Sequence, residues 1–325
     1  MRILVTGSAG HLGDALVRVL GADCDDVVGL DVLESERTSI VGSVADRDCV
    51  RRAVAGVDAI VHAATLHKPH VGSHPRQEFV DTNVTGTLYL LEEAVAAGVG
   101  RFVFTSTTSA FGRALTPPPG APAAWITEAV AAVPRNVYGV TKAAAEDLCE
   151  LVHRDHGLPC VILRTSRFFP EADDRDDVRA AYDDLNLKVN ELLYRRVDLE
   201  DVVSAHRLAL DRAPAIGFGR HIVTATTPFA PADLAELRAD APAVLRRLVP
   251  DYEHVYAERG WRMFPSIDRV YDNARARDEL GWRPRYDFAH ALERLGAGDD
   301  PRSELALAVG AKGYHAESTG PYTVR

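Results

Sequence analysis

Apolar and polar residues follow two different periods along the first half of the chain. Short, continuous apolar runs, typical of fully buried parallel strands, occur at residues 2–6, 27–31, 39–41, 58–62, 101–105 and 160–163. Segments with helical spacing lie between them, near residues 12–20, 46–55, 76–97 and 137–156. Strands separated by helices of this length require right-handed crossovers and a parallel sheet that is covered on both faces. The pattern therefore predicts an α/β fold with a doubly wound, Rossmann-type parallel sheet.

A glycine-rich turn joins the first strand to the first helix. Gly7, Gly10 and Gly13 have the spacing G-x-x-G-x-x-G, which meets the dinucleotide fingerprint G-x-G-x-x-G only loosely. A strand that passes through glycines into a helix directs backbone N–H groups and the helix N-terminus at one point, which suits a pyrophosphate. The alternative is a glycine-rich turn of an ordinary α/β protein.

The second strand ends in a carboxylate, Asp31, about twenty residues after the turn. A dinucleotide fold places there the group that holds the ribose hydroxyls, and a carboxylate would repel a 2′-phosphate, so NAD is favoured over NADP. Ligands of such sheets bind beyond the carboxyl ends of the strands. The predicted cofactor contacts are Gly7, Gly10, His11, Leu12, Gly13, Asp31, Ser43, Val44, Ala63, Ala64 and Thr105.

Composition and charge exclude several classes of protein. The chain is 46% apolar and 26% charged, an ordinary globular composition, and its net charge of −10 argues against nucleic-acid binding. It has no run of 18 apolar residues, and its first strand begins at residue 2, so we expect neither a membrane span nor a signal peptide. The cysteines lack pairing or metal-ligand spacing, which predicts free thiols in a reducing cytoplasm: Cys24, Cys49, Cys149 and Cys160. His67 and His70 have no nearby cysteine or carboxylate partners, so no metal site is expected.

Hydroxyl side chains follow the fifth strand, in the segment Thr105-Ser-Thr-Thr-Ser109. The next helix opens with Tyr138 and Lys142, which are four residues apart and therefore lie on one helix face. Taken alone, this pair is usually part of a solvated helix face.

Taken in order, the glycine turn, the acidic second strand, the hydroxyls and the Tyr/Lys pair resemble the extended short-chain dehydrogenase/reductase family. This family contains NAD-dependent nucleotide-sugar epimerases and dehydratases, and the resemblance extends from residue 2 to about 285, including Leu280-Gly-Trp-Arg-Pro284. It implies that Tyr138 is the acid/base and that Lys142 is its partner and also reaches the nicotinamide ribose. It further implies that Thr107 hydrogen-bonds the reacting oxygen and that Asn83 supports the site. In this family the helices near 76–97 and 137–156 commonly pair across a two-fold axis, which implies a homodimer.

The second half of the chain departs from the family at one position. We expect a Rossmann domain over residues 1–165 and a smaller, mixed α/β substrate region over 166–325, with the chain re-entering the sheet near 195–225. Arg167 stands where sugar-nucleotide enzymes usually carry asparagine. Arginines that resemble the family's diphosphate ligands could either clamp a diphosphate or pair with nearby carboxylates. The predicted substrate contacts are Ser106, Thr108, Arg167, Arg195, Arg196 and Arg262, and the tail from Arg285 onward has no functional interpretation.

Three functions remain open. The first is an epimerase that oxidises a nucleotide sugar transiently to a keto intermediate, the second is a dehydrogenase or reductase of a sugar or another small hydroxy or keto compound, and the third is a non-catalytic dinucleotide sensor. A sensor does not need the Tyr/Lys pair, so we expect an enzyme. Dehydratases of the family resemble one another in placing acidic residues after the catalytic threonine, where this chain has Thr108 and Ser109. Epimerisation is favoured because Arg262 and the segment 280–284 resemble the epimerase pattern, whereas Arg167 favours the dehydrogenase.

Overall fold

The computed structural model describes residues 1–23, 26–173 and 175–312. Its strands are β1 (Arg2–Thr6), β2 (Asp26–Asp31), β3 (Ile40–Val41), β4 (Ala59–His62), β5 (Arg101–Thr107), β6 (Ala124–Ile126), β7 (Cys160–Thr165), β8 (Phe218–Val223) and β9 (Arg269–Tyr271). Its helices are α1 (His11–Ala22), α2 (Arg47–Val54), α3 (Arg76–Val80), α4 (Gly86–Ala97), α5 (Val137–His156), α6 (Asp176–Ala181), α7 (Asp184–Leu192), α8 (Leu199–Ile216), α9 (Leu234–Ala239), α10 (Ala241–Leu248), α11 (Tyr252–Arg259), α12 (Ala274–Glu279), α13 (Phe288–Gly296) and α14 (Glu304–Val309).

The central sheet has seven strands in the order β3-β2-β1-β4-β5-β7-β8, and every neighbouring pair is parallel. In the register, Leu4 of β1 lies opposite Val28 of β2 and Ile60 of β4. The order runs outward in both directions from β1, which is the doubly wound arrangement that the sequence predicts. The fold class is thereby confirmed.

Both faces of this sheet are covered by helices. Ile3 and Val5 pack on the side of α1 and α8, whereas Leu4 between them packs on the side of α2, α4 and α5. Because successive side chains of a strand point to opposite faces, a strand buried on both sides must be apolar at every position. This explains the continuous apolar runs in the sequence.

A third apolar cluster lies outside the central sheet. It joins α7, α9, α10, α11 and α13 with Val270 of the small parallel sheet β6-β9. The chain also returns to the central sheet through α8 and β8, between the elements of this cluster. Trp282 of the segment 280–284 is fully buried, and its indole N–H donates to Asp201 O and Ser204 Oγ, both at 3.0 Å. This segment therefore anchors α8.

The helix expected over residues 76–97 is interrupted. Residues Asp81–Thr85 form a π-helical turn between α3 and α4, and the Thr87 hydroxyl donates to Asn83 O at 2.7 Å across it. Apolar periodicity alone does not reveal such a turn, because the extra residue shifts the helix face only locally.

Two further expectations concern membranes and thiols. No described helix is long and apolar enough to cross a lipid bilayer. Cys49, Cys149 and Cys160 are buried free thiols, while Cys24 lies outside the described residues.

Candidate active site

A cavity of about 510 Å³ opens beyond the carboxyl ends of strands β1, β2, β4, β5 and β7. It brings together most of the residues that the sequence predicts for the cofactor and the substrate: Gly7, Gly10, His11, Leu12, Gly13, Asp31, Ser43, Val44, Ala63, Ala64, Thr105, Ser106, Thr107, Thr108, Tyr138, Arg167 and Arg196. Four predicted residues do not line it: Asn83, Lys142, Arg195 and Arg262.

The glycine turn is packed so closely that side chains are excluded from it. Gly7 has a φ of 77°, and a Cβ on it would lie 2.8 Å from the backbone nitrogen of Ala64. A Cβ on Gly13 would lie 1.8 Å from the carbonyl oxygen of Gly7. The turn therefore holds α1 against β1, with the first N–H groups of the helix at the cavity. No side chain caps this helix at Gly10. These groups fit the diphosphate of a dinucleotide.

Asp31 is fixed at the carboxyl end of β2. Its Oδ2 accepts a hydrogen bond from Ala9 N at 3.0 Å, and its Oδ1 accepts one from Leu33 N at 2.9 Å. A carboxylate oxygen has two lone pairs, so each oxygen can accept a second hydrogen bond. The carboxylate is thus oriented by the glycine turn and retains the capacity to bind ribose hydroxyls.

Tyr138 lies in the first turn of α5, which Asn136 caps through a hydrogen bond from Gly139 N at 2.9 Å. Its side chain is only 9% exposed. Burial raises the pKa of Tyr138 to about 12, although the nearby Thr107 hydroxyl acts in the opposite direction. The Thr107 hydroxyl also accepts from Ser109 N at 3.1 Å. Tyr138 and Thr107 therefore lie close together at the cavity wall, and the phenol is protonated at neutral pH.

Lys142 lies one turn further along α5 and is 2% exposed. Its ammonium lies over the ring of Phe104, 3.9 Å from the ring centre, and not at the cavity wall. Burial lowers the pKa of Lys142 to about 7, and Glu146, another turn along the helix, acts in the opposite direction. Lys142 is therefore buried in an apolar environment one helical turn from Tyr138. Near neutral pH its protonated and neutral forms are both populated.

Asn83 connects two elements of the site without lining the cavity. Its Oδ1 accepts from Leu66 N at 2.8 Å, and its Nδ2 donates to Leu66 O at 2.8 Å and to Thr141 Oγ1 at 3.0 Å. These bonds fasten the loop after β4 to the helix that carries Tyr138. The predicted role of Asn83 in support of the site stays a prediction.

Comparison with known proteins decides the family. Residues 3–224 match the model of the NAD dependent epimerase/dehydratase family. The chain belongs to this family. The resemblance predicted from the sequence is therefore confirmed. NAD, the cofactor of the NAD-dependent epimerase/dehydratase family, is confirmed with it, and the prediction of an enzyme is confirmed at the level of the family.

Relatives in this family differ in the reaction that they are named for. The dTDP-glucose 4,6-dehydratase of Streptomyces antibioticus is 30% identical over 90% of this chain and 91% of its own length. The UDP-glucose 4-epimerase of Rhizobium meliloti is 28% identical over 90% of this chain and 94% of its own length. The low-salt glycan biosynthesis protein Agl12 of Haloferax volcanii is 35% identical, but this chain spans only 57% of its length.

A solved structure shows the same fold. The chain superposes with a TM-score of 0.66 on a short-chain dehydrogenase/reductase superfamily protein from Agrobacterium tumefaciens, solved with NAD bound. The superposition covers 91% of this chain and 96% of that chain at 24% identity.

The arginines expected to bind a diphosphate are arranged differently in this member of the NAD-dependent epimerase/dehydratase family. Arg167, Arg195 and Arg196 converge on the fully buried carboxylate of Glu191, at 2.7, 2.7 and 2.8 Å. Burial alone would raise the pKa of Glu191, but the three guanidinium groups hold it well below its ordinary value. Of the two interpretations that the sequence left open, the structure shows pairing with a carboxylate.

Arg262 does not join this group. Its guanidinium donates to Ala181 O and lies over the ring of Tyr182, 4.8 Å from the ring centre. A clamp made of Arg195, Arg196 and Arg262 is therefore not assembled, because Glu191 holds the first two and the loop after α11 carries the third away from the cavity. Arg167 and Arg196 still contribute to the cavity wall.

A buried carboxylate behind the site was not predicted. Glu146 accepts from the Ser106 hydroxyl at 2.5 Å and pairs with Arg164 at 2.7 Å. Ser106 thus donates its proton away from the cavity. The only signal in the sequence is the spacing of Tyr138, Lys142 and Glu146 by four residues on one helix face.

Proposed function

We propose that the protein is an NAD-dependent epimerase that acts on a nucleotide sugar through a transient keto intermediate. The observation that carries the proposal is that Tyr138 and Thr107 lie close together in a cavity that also contains the glycine turn and Asp31. Bound NAD would supply the hydride acceptor and donor. The residues that would hold it are the turn, through its backbone N–H groups, and Asp31, through its carboxylate.

Tyr138 would move the proton of the reacting hydroxyl. With a pKa of about 12 it is a proton donor at neutral pH, suited to the return of a ketone to an alcohol. To accept a proton it needs a lower pKa, and a positive charge nearby provides this. Lys142, only one turn away on α5, is the side chain that could supply such a charge by leaving the Phe104 ring.

The absence of an acid beside Thr107 supports epimerisation over dehydration. Thr108 and Ser109 follow the catalytic threonine, and neither hydroxyl serves as an acid or base near neutral pH. Loss of water needs a second proton-transfer group at the departing oxygen. One phenol and one hydride acceptor are enough for reversible oxidation of an alcohol.

A second candidate function is an NAD-dependent dehydrogenase whose substrate lacks a nucleotide. It is favoured by one observation, the pairing of Arg167, Arg195 and Arg196 with Glu191, since these arginines do not form an open diphosphate clamp. In that reaction the reduced cofactor would leave the protein, and no second isomer would form.

The two functions separate in one experiment. The purified protein is incubated with NAD and one nucleotide sugar at a time: UDP-glucose, UDP-N-acetylglucosamine, UDP-glucuronic acid or dTDP-glucose. NMR follows the sugar, and absorbance follows NADH. Isomer formation without net NADH supports the epimerase. NADH formed in step with product supports the dehydrogenase, and a dehydrated product contradicts the argument from Thr108 and Ser109.

A further inference from the structure

Glu171 is a buried carboxylate in the cavity wall for which the proposed reaction has no use. Its side chain is 6% exposed, and it follows the segment Arg167–Pro170 where the chain leaves β7. Within residues 1–23, 26–173 and 175–312, neither of its carboxylate oxygens makes a hydrogen bond. The hydroxyl of Ser166, also buried in the cavity wall, has no hydrogen-bond partner in the same ranges.

An unpaired buried carboxylate is costly, and this one is held in place. Burial raises the pKa of Glu171, although the positive charges of Lys188 and Arg196 act against the rise. Two cations lie nearby, but each is engaged with the backbone just before it. Lys188 Nζ donates to Pro170 O at 2.5 Å, and Arg196 Nη1 donates to Phe169 O at 3.0 Å. These bonds fix the chain that carries Glu171 and leave its oxygens to accept from another partner.

Glu171 follows the strand that neighbours the one carrying Thr107. It follows β7, which is next to β5 with Thr107, whereas Asp31 belongs to β2, with β1, β4 and β5 between β2 and β7 in the sheet. At about 4.8 Å per strand, β2 and β7 are separated by roughly 19 Å. The segment that carries Glu171 therefore leaves the sheet on the side of Thr107, four strands away from Asp31.

We propose that Glu171 binds hydroxyl groups of the sugar and orients it against Tyr138. The proposal rests on the proposed function, since it takes the substrate to be a sugar. An ionised carboxylate only accepts hydrogen bonds, so its natural partners are O–H and N–H donors, and a sugar ring offers several hydroxyls in one place. The rival donor in the same cavity is the carboxamide of the cofactor.

The test compares Glu171→Met and Glu171→Gln with wild type and with Glu293→Met, a matched change of an exposed glutamate on α13 that does not line the cavity. Melting temperatures are measured without ligand, and dissociation constants are measured for NAD and, at saturating NAD, for UDP-glucose. Removal of an unpaired buried carboxylate should raise the melting temperature of Glu171→Met by about 2–4 °C. Affinity for UDP-glucose should fall about 10- to 100-fold, with NAD affinity within twofold of wild type. Glu293→Met should change none of these values.

Two results would overturn the proposal. A fall in NAD affinity with unchanged UDP-glucose affinity would show that Glu171 serves the cofactor, and a lower melting temperature of Glu171→Met would show a structural role. If wild type does not bind UDP-glucose, the comparison is made with D-glucose, D-galactose and D-glucuronate. Binding of a free sugar that depends on Glu171 would contradict the nucleotide-sugar function and support this proposal, whereas binding of none of them would overturn both.

Discussion

Burial shifts the pKa values of Lys142 and Tyr138, and single-residue variants at these two positions test the consequences. The pKa of Lys142 falls from 10.5 to about 7 because the ammonium is buried over Phe104. Between these two pH values the unfolded chain binds more protons than the folded protein, so wild-type stability rises with pH across this window. The free-energy cost of burying the charged ammonium applies in full below about pH 7 and is lost by about pH 10.5. It lowers the free energy of unfolding by about 5 kcal/mol.

Lys142→Met lacks this titration. Urea denaturation of both proteins at pH 7 and pH 9 should show that wild type gains about 2–3 kcal/mol relative to the variant over this interval. A stability difference that does not change with pH would contradict a depressed pKa for Lys142.

Tyr138→Phe removes one hydroxyl from the cavity wall and keeps the ring in place. We expect catalytic activity to fall by a factor of about 10²–10⁴, the usual share of a positioned acid/base, while NAD affinity stays the same. Tyr89→Phe, on the partly exposed face of α4, is the control and should be fully active. Full activity of Tyr138→Phe would exclude Tyr138 as the acid/base.

Sequence reasoning succeeds for residues whose role is local and fails for residues whose partners are distant. Tyr138 could be predicted because helix geometry relates it to Lys142, and Asp31 because it ends a recognisable strand. Glu146 contacts Arg164 on β7 and Ser106 on β5, and no local sequence pattern predicts these contacts. The position of Lys142 over Phe104 likewise depends on how α5 packs against β5.

At the scale of elements, the close packing of α1 against the turn after β1 depends on Gly13. A Cβ there would clash with the Gly7 carbonyl, so Gly13→Ala must push α1 away from the turn. We expect Gly13→Ala to weaken NAD binding by a factor of 10 or more and to destabilise the protein, by analogy with overpacked cores, by about 1–3 kcal/mol.

Gly21→Ala is the matched control, because it lies on the same helix and a Cβ there meets nothing within 4 Å. Alanine should leave NAD binding unchanged and stabilise the helix by about 0.5–1 kcal/mol. Isothermal titration and chemical denaturation measure both variants, and equal behaviour of the two would contradict the packing argument.

The central sheet was predictable as a set of elements because its inner strands β1, β4, β5 and β7 are almost fully buried on both faces. The region beyond β7 was less predictable. Its helices α9, α10, α11 and α13 pack on one another and on α7, and their apolar residues show no long period. The convergence of three arginines on Glu191 depends on that packing, because Glu191 lies on α7.

At the scale of the whole molecule, α4 and α5 lie on one face of the sheet and pack on each other. Val140 and Leu151 of α5 are 53% and 41% exposed, and their separation of 11 residues puts them on one helix face. We expect this face to pair with a second copy across a two-fold axis. Light scattering should give a dimer for wild type and a monomer for Leu151→Glu, and a wild-type monomer at micromolar concentration would contradict this.

Return of the hydride to the same sugar is the central claim, and an isotope label tests it most directly. UDP-glucose with deuterium at C4 is incubated with the protein and NAD, and NMR locates the deuterium in the product. The account predicts UDP-galactose that retains deuterium at C4, with no net NADH absorbance. Stoichiometric release of deuterated reduced cofactor, or a product that has lost water, would contradict it.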